Sequence, residues 1–226
     1  MSVNIPSGIL PSPDPVLIQF PDVPIPVGDV MRRLGYPSAG HDLSGGMDEI
    51  LDSAMAEAGR LMDIRTSHRI LEVASNDGFR ILFKGSDLSI ESAMVAKLLR
   101  RAPSVVCLAA TAGIALDRAV SAGMDEGEMT EAYMLDAIGS ETVEAAVDEL
   151  HWKILKNRAE ENGWKVTPRF SPGYGDWRLT IQTDLVRASG GTLIGISVTP
   201  SSLMIPRKSV TAVLGFEPAG AADPCG

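Results

Sequence analysis

At 226 residues, with 45% hydrophobic and 22% charged residues, the chain has the length and composition of a globular protein with one sizeable core or two small ones. Its formal charge of -9 argues against nonspecific nucleic-acid binding, which needs a basic footprint. No apolar run reaches membrane-spanning length, and the N-terminus lacks a basic region followed by an apolar segment, so the expectation is a cytoplasmic protein that engages no membrane.

Residues 1–28 are punctuated by seven prolines and read as an extended arm, with Val16 to Phe20 able to add one edge strand. Residues 29–218 then form one mixed domain, and 219–226 a flexible tail. Gly28 to Tyr36 reads as a short helix capped by Asp29 and stopped by Gly35 and Pro37. Gly45 to Met62 is a helix with Met47, Ile50, Leu51, Met55 and Leu61 along one stripe. From Ser67 to Lys84 the period changes to two on either side of Asn76-Asp77-Gly78, which predicts a hairpin. Ser89 is placed as the cap of a helix to Arg101, buried through Ile90, Met94, Leu98 and Leu99. The continuous apolar run from Ser104 to Ala110 predicts a central buried strand, turning at Thr111-Ala112-Gly113 into a helix to Ala122. That turn has no glycine-rich phosphate fingerprint.

One long helical pattern runs from Thr130 to about Asn162, with Val143, Val147, Leu150, Ile154 and Leu155 as its buried stripe and a kink expected at Gly139-Ser140. Asp136, Ser140, Glu144, Asp148 and His151 recur along a second face. For Asp148 a solvated acidic face is the better reading; Asp136 and Glu144 are equally candidates to bind a ligand's ammonium or hydroxyl groups. Thr180 to Ala188 is a further helix, and Thr192–Thr199 and Ser209–Phe216 alternate as strands. Between those strands, Met204, Ile205 and Pro206 form an apolar plug. The whole predicts a single α+β domain of long helices packed on a mainly antiparallel sheet, with the strands at 67–84, 104–110, 192–199 and 209–216 in one sheet.

The most informative stretch is Pro168-Arg169-Phe170-Ser171-Pro172-Gly173-Tyr174-Gly175-Asp176-Trp177. Two prolines and two glycines predict a tight, non-repetitive loop whose backbone a ligand can approach closely. It is expected to present Arg169, Tyr174, Asp176 and Trp177 outward as a small-molecule clamp, the guanidinium holding a carboxylate and the rings a planar or cationic group. A connector whose rings only pack is the simpler alternative. Six Lys/Arg against two Asp between Lys165 and Lys208 give this segment +4, leaving -13 elsewhere, which suits an anionic group.

Arg169-Phe170-Ser171-Pro172-Gly173-Tyr174, with Ser202-Leu203-Met204-Ile205-Pro206 and Ser209-Val210-Thr211-Ala212-Val213 after it, resembles the activation domain of cobalamin-dependent methionine synthase. The family pattern is Arg-Pro-x-Pro-Gly-Tyr, then Ser-x-x-Met-x-Pro-x-x-Ser-Val-Ser-Gly, and the Gly-Tyr-Gly-Asp-Trp ending resembles its stand-alone members. The likeness covers roughly Asp136 to Phe216. It implies binding of S-adenosylmethionine (AdoMet) by Arg169, Ser171, Pro172, Gly173, Tyr174, Gly175, Asp176 and Trp177. With His151 as anchor, Glu144 aligns with a ligand-contacting glutamate. It also implies reductive remethylation of cob(II)alamin carried by a partner, a corrinoid methyltransferase or methionine synthase, with flavodoxin or ferredoxin as reductant and methyl transfer from AdoMet to cob(I)alamin. A second acidic contact just upstream of the arginine has no clear counterpart, Glu160 and Glu161 being weak candidates.

No nucleophile stands beside a base: His41, His68 and His151 lie in unrelated contexts, so no catalytic residue is assigned. Cys107 reads as a small buried hydrophobe, and two cysteines make neither a disulfide framework nor a closed metal site. The chain lacks the Asp-x-His-x-x-Gly pattern of the family's cobalamin domain. An ordinary Rossmann methyltransferase would carry its glycine-rich loop after the first strand, not near residue 173. The remaining alternative is a binding or assembly module that keeps the fold without the reaction.

Overall fold

The computed structural model describes residues 10–20, 23–36 and 46–219. An edge strand, β1 (Val16–Gln19), is followed by the short helix α1 (Val27–Arg33) and the amphipathic helix α2 (Met47–Leu61). Leu51, Ala54 and Ala58 of α2 are buried at the spacing of one helix face. Strands β2 (Arg65–Asn76) and β3 (Arg80–Phe83) make the expected antiparallel hairpin. Its turn is held by the Asp77 carboxylate, which accepts from the backbone N–H groups of Phe79 and Arg80 at 2.9 and 2.7 Å. Next come β4 (Ser89–Glu91), α3 (Ala93–Leu98), β5 (Ser104–Thr111), α4 (Ile114–Glu126) and α5 (Met129–Asp148). The long helix continues through a π-helical segment, Glu149–Leu155, into α6 (Lys156–Glu161). The chain then forms β6 (Trp164–Val166), α7 (Gln182–Ser189), the two-residue strands β7 (Ser197–Val198) and β8 (Met204–Ile205), and β9 (Ser209–Pro218).

Strand β5 is the axis of the molecule, and all eight of its residues are buried. It pairs antiparallel with β2 on one side and β9 on the other. The outer edge of β2 is shared, with β1 along Arg65–His68 and β3 along Val73–Asn76. The sheet thus reads β4-β3-β2-β5-β9-β6 with β1 beside β2. Because side chains alternate across a strand, β5 and β9 feed two cores. Val106, Leu108 and Ala110 pack with Ala212, Leu214 and Phe216 under α2, α4 and α5. On the opposite face Val105, Cys107 and Val213 meet α3, α7 and Trp177. The fold is the expected α+β domain of helices on an antiparallel sheet.

Four local expectations are corrected. Ser92, not Ser89, caps α3, accepting from the Val95 N–H at 3.0 Å; Ser89-Ile90-Glu91 alternates and forms the sheet edge instead. Met94 consequently faces solvent. Asp29 does not cap α1; it lies inside the first turn and pairs with Arg32. Thr192–Thr199 is not a strand of the main sheet: Gly191–Ile194 is a 3-10 turn and Gly195 takes a φ of +87°, which ends extended geometry. Ile194 and Ile196 are both buried, which imitates strand alternation. Gly139 and Ser140 lie within regular α-helix, and the departure from the α ladder comes ten residues later, at Glu149–Leu155. Pro37, His41, Gly45, Cys225, residues 1–9 and 21–22 of the arm and 220–226 of the tail lie outside the described residues.

Candidate functional site

The Pro168–Trp177 loop is anchored at both ends. Phe170 and Val213 exchange backbone hydrogen bonds of 2.9 Å in each direction, so the loop leaves the β9 edge in extended geometry. It then closes on itself, Gly173 N–H donating to Trp177 O at 2.8 Å and Trp177 N–H to Tyr174 O at 3.1 Å. Gly173 and Gly175 have φ of +91° and +56°, positions other residues rarely adopt. A Cβ at Gly175 would also collide with the Met94 sulfur of α3.

Of the residues expected to project outward, Trp177 is buried instead, while Asp176 is exposed but tied down by hydrogen bonds. Trp177 is 2% exposed in the second core, its ring 6.3 Å from that of Phe170. The Asp176 carboxylate reaches the start of α3, accepting from Ser92 Oγ, from Ala93 N–H at 2.7 Å and from Met94 N–H at 3.4 Å. The Ser92 hydroxyl, followed by the two N–H groups, holds its carboxyl below the usual range. Pro172 is buried and Ser171 half-buried. Tyr174 stands at the tip, 70% exposed.

Arg169 turns the other way, onto α5. Its Nη2 lies 2.7 Å from Glu144 Oε2 and its Nη1 2.6 Å from Asp148 Oδ1. Glu144 and Asp148 are four residues apart, so one helix face offers both carboxylates to the two arms of the guanidinium. Asp148, for which the sequence favours a solvated face, is indeed exposed, and its pairing with Arg169 is the addition the structure makes. The three residues line a groove of about 540 Å³ with Glu141, Trp152 and Lys153. Burial raises the Glu144 pKa, an effect the neighbouring Arg169 opposes. His151, buried beneath, is hydrogen-bonded from Nε2 to Thr167 O at 3.2 Å and stacks on Trp152 at 4.0 Å. It thereby ties the π-helical segment to the stretch after β6 that delivers Arg169.

Asp136 does not line this groove. Two turns upstream on α5, it pairs with Lys208 Nζ at 2.6 Å, and the same ammonium donates to Ser140 Oγ at 3.0 Å. Among the described residues no group of three His, Cys, Asp or Glu could hold a metal ion. Cys107 is fully buried and its thiol is pushed up to about 12, so it is no nucleophile.

No protein-family model and no curated protein matches the chain. Among solved structures a similar fold is found. The likeness is to the crystal structure of the MetH reactivation domain bound to AdoHcy, with a TM-score of 0.68 at 13% identity, over 98% of this chain and 85% of that one.

Proposed function

We propose that the chain binds AdoMet and supports the reductive remethylation of cob(II)alamin on a corrinoid-dependent methionine synthase or related corrinoid methyltransferase. The observation that carries the reading is the Arg169–Glu144–Asp148 constellation, formed where the Arg-Phe-Ser-Pro-Gly-Tyr loop meets α5. An amino-acid zwitterion offers one carboxylate and one ammonium, and an arginine beside a glutamate is their complement. The ligand inserts into the existing ion pair: Arg169 takes the carboxylate, Glu144 the ammonium, and Asp148 keeps the guanidinium's second arm. The groove of about 540 Å³ is of ligand size. The AdoHcy bound to the structurally similar MetH domain supports the same ligand class here.

Arg169 is the one loop residue that lines the groove, so on this reading the ligand extends past it, with Tyr174 beside the sulfonium and the Ser171–Gly175 backbone against the adenosyl group. Asp176 and Trp177 hold that loop in shape, and Asp136 braces α5. The corrinoid, carried by a partner and reduced by flavodoxin or ferredoxin, supplies the nucleophilic cobalt that accepts the methyl group. This chain supplies position and orientation, which is sufficient for a transfer whose chemistry resides in the cofactor. Calorimetry with AdoMet tests the binding. Absorbance of methylcobalamin, formed with a corrinoid protein and a reductant, tests the function. Binding without methylcobalamin from any such partner establishes a binding module instead, and absence of AdoMet binding overturns both.

A further inference from the structure

A second groove lies on the other side of the same loop. Its floor is apolar, from Met94, Leu98, Val166, Pro168 and Phe170, and its volume is about 660 Å³, within the range of small-molecule sites. Lys97, Arg100, Arg101 and Lys165 stand around it, facing the single carboxylate of Glu217. Glu217 is nearly buried and lies 3.5 Å from Lys165. Lys97 and Arg100 have no ion-pair partner among the described residues. Lys97 and Arg100, three positions apart on a protein of net charge -9, repel one another, and an anion bound between them relieves that repulsion.

The two grooves share no lining residue. Arg169 and Phe170 are consecutive in an extended segment, and successive side chains there leave on opposite faces. Arg169 therefore serves the α5 groove and Phe170 this one. A thioether and a phenyl ring suit a flat ring system, while flexible ammonium and guanidinium groups at the rim suit a phosphate.

We propose that this groove is a separate binding site for an anionic small molecule with a flat apolar body, of the nucleoside-phosphate class. The test uses the dye anilinonaphthalene sulfonate, which combines fused rings with one anionic group. Saturable one-to-one binding to the full chain is expected, displaced by ADP and not by adenosine. Lys97→Glu combined with Arg100→Glu lies on the exposed surface of α3 and its end, and should weaken dye binding at least about tenfold. Arg169→Ala should leave dye binding unchanged. The absence of a saturable phase, or equal affinity in the double variant, overturns the proposal. Stoichiometric displacement of the dye by AdoMet overturns it too, because the two grooves would then be one site. Failure of AdoMet to bind anywhere leaves the dye result intact, so this inference and the proposed function are tested separately.

Discussion

Arg169 stands between two carboxylates, and its replacement changes both the ligand's anchor and the balance of charge on α5. Arg169→Ala is expected to weaken AdoMet binding by roughly 1.5–3 kcal/mol, ten- to a hundredfold in Kd by calorimetry. Arg169→Lys should not restore it, since one ammonium cannot meet Asp148 and a ligand carboxylate in a planar fork. Tyr174→Ala is expected to lower AdoMet affinity only modestly, a ring-to-cation contact being about 0.5–2 kcal/mol. On the proposed function the rate of methylcobalamin appearance should fall much further, the exposed ring then bordering the approach of the corrin. Arg169 and Glu144 were legible as residue types at a helical spacing ahead of a glycine-proline loop. Asp148 was not, because an acid one turn away looks like solvated surface until the loop's landing point is known. Trp177 departs from expectation for a related reason: a stretch rich in glycine and proline reads as exposed, yet such a loop holds one shape only if something buried pins it, here with the exposed Asp176 capping α3 beside it.

The elements meet through a few small contacts, and these set what they tolerate. Ser92 is fully buried and caps α3, a helix of only six residues. Ser92→Ala should cost about 1 kcal/mol in urea unfolding, and Asp176→Ala should lower the midpoint in the same direction. Gly139 is the point where α5 meets Leu116 of α4. Gly139→Val should destabilise by about 1–3 kcal/mol through overpacking, measured against Gly163→Ala, which lies in open space but at positive φ. The hairpin at 65–83, β5 and β9 were legible because their apolar patterns are continuous or strictly alternating. The segment from Thr192 escaped the reading because two buried isoleucines flank Gly195, and apolar spacing does not reveal a reversed φ. The π-helical segment left no sequence signal, since its composition is that of any amphipathic helix.

At the scale of the whole molecule, His68 couples stability to pH. It is 1% exposed in β2 with neither ring nitrogen hydrogen-bonded, and burial, aided by Arg158, lowers its pKa from 6.5 to about 4. The unfolded chain therefore takes up a proton below pH 6.5 that the folded chain refuses until about pH 4. Stability is fully present above 6.5 and falls through that window, by on the order of 3 kcal/mol at its acid end. His68→Leu should flatten this part of the profile, read from urea midpoints at neutral and mildly acid pH. The central strand carries a different consequence, one of timing. β5 is buried along its whole length, but the strand that covers one of its hydrogen-bonding edges, β9, follows it by no fewer than 98 residues, the separation at the Thr111–Ser209 end of the ladder. During translation that edge, with its Val-Val-Cys-Leu-Ala-Ala run, waits unpaired while α4 through β8 are still being made. A long closure of this kind slows folding, and an open apolar edge recruits its own kind. A message truncated after Lys208 is thus expected to yield protein in the insoluble fraction, whereas the full message yields it in the supernatant.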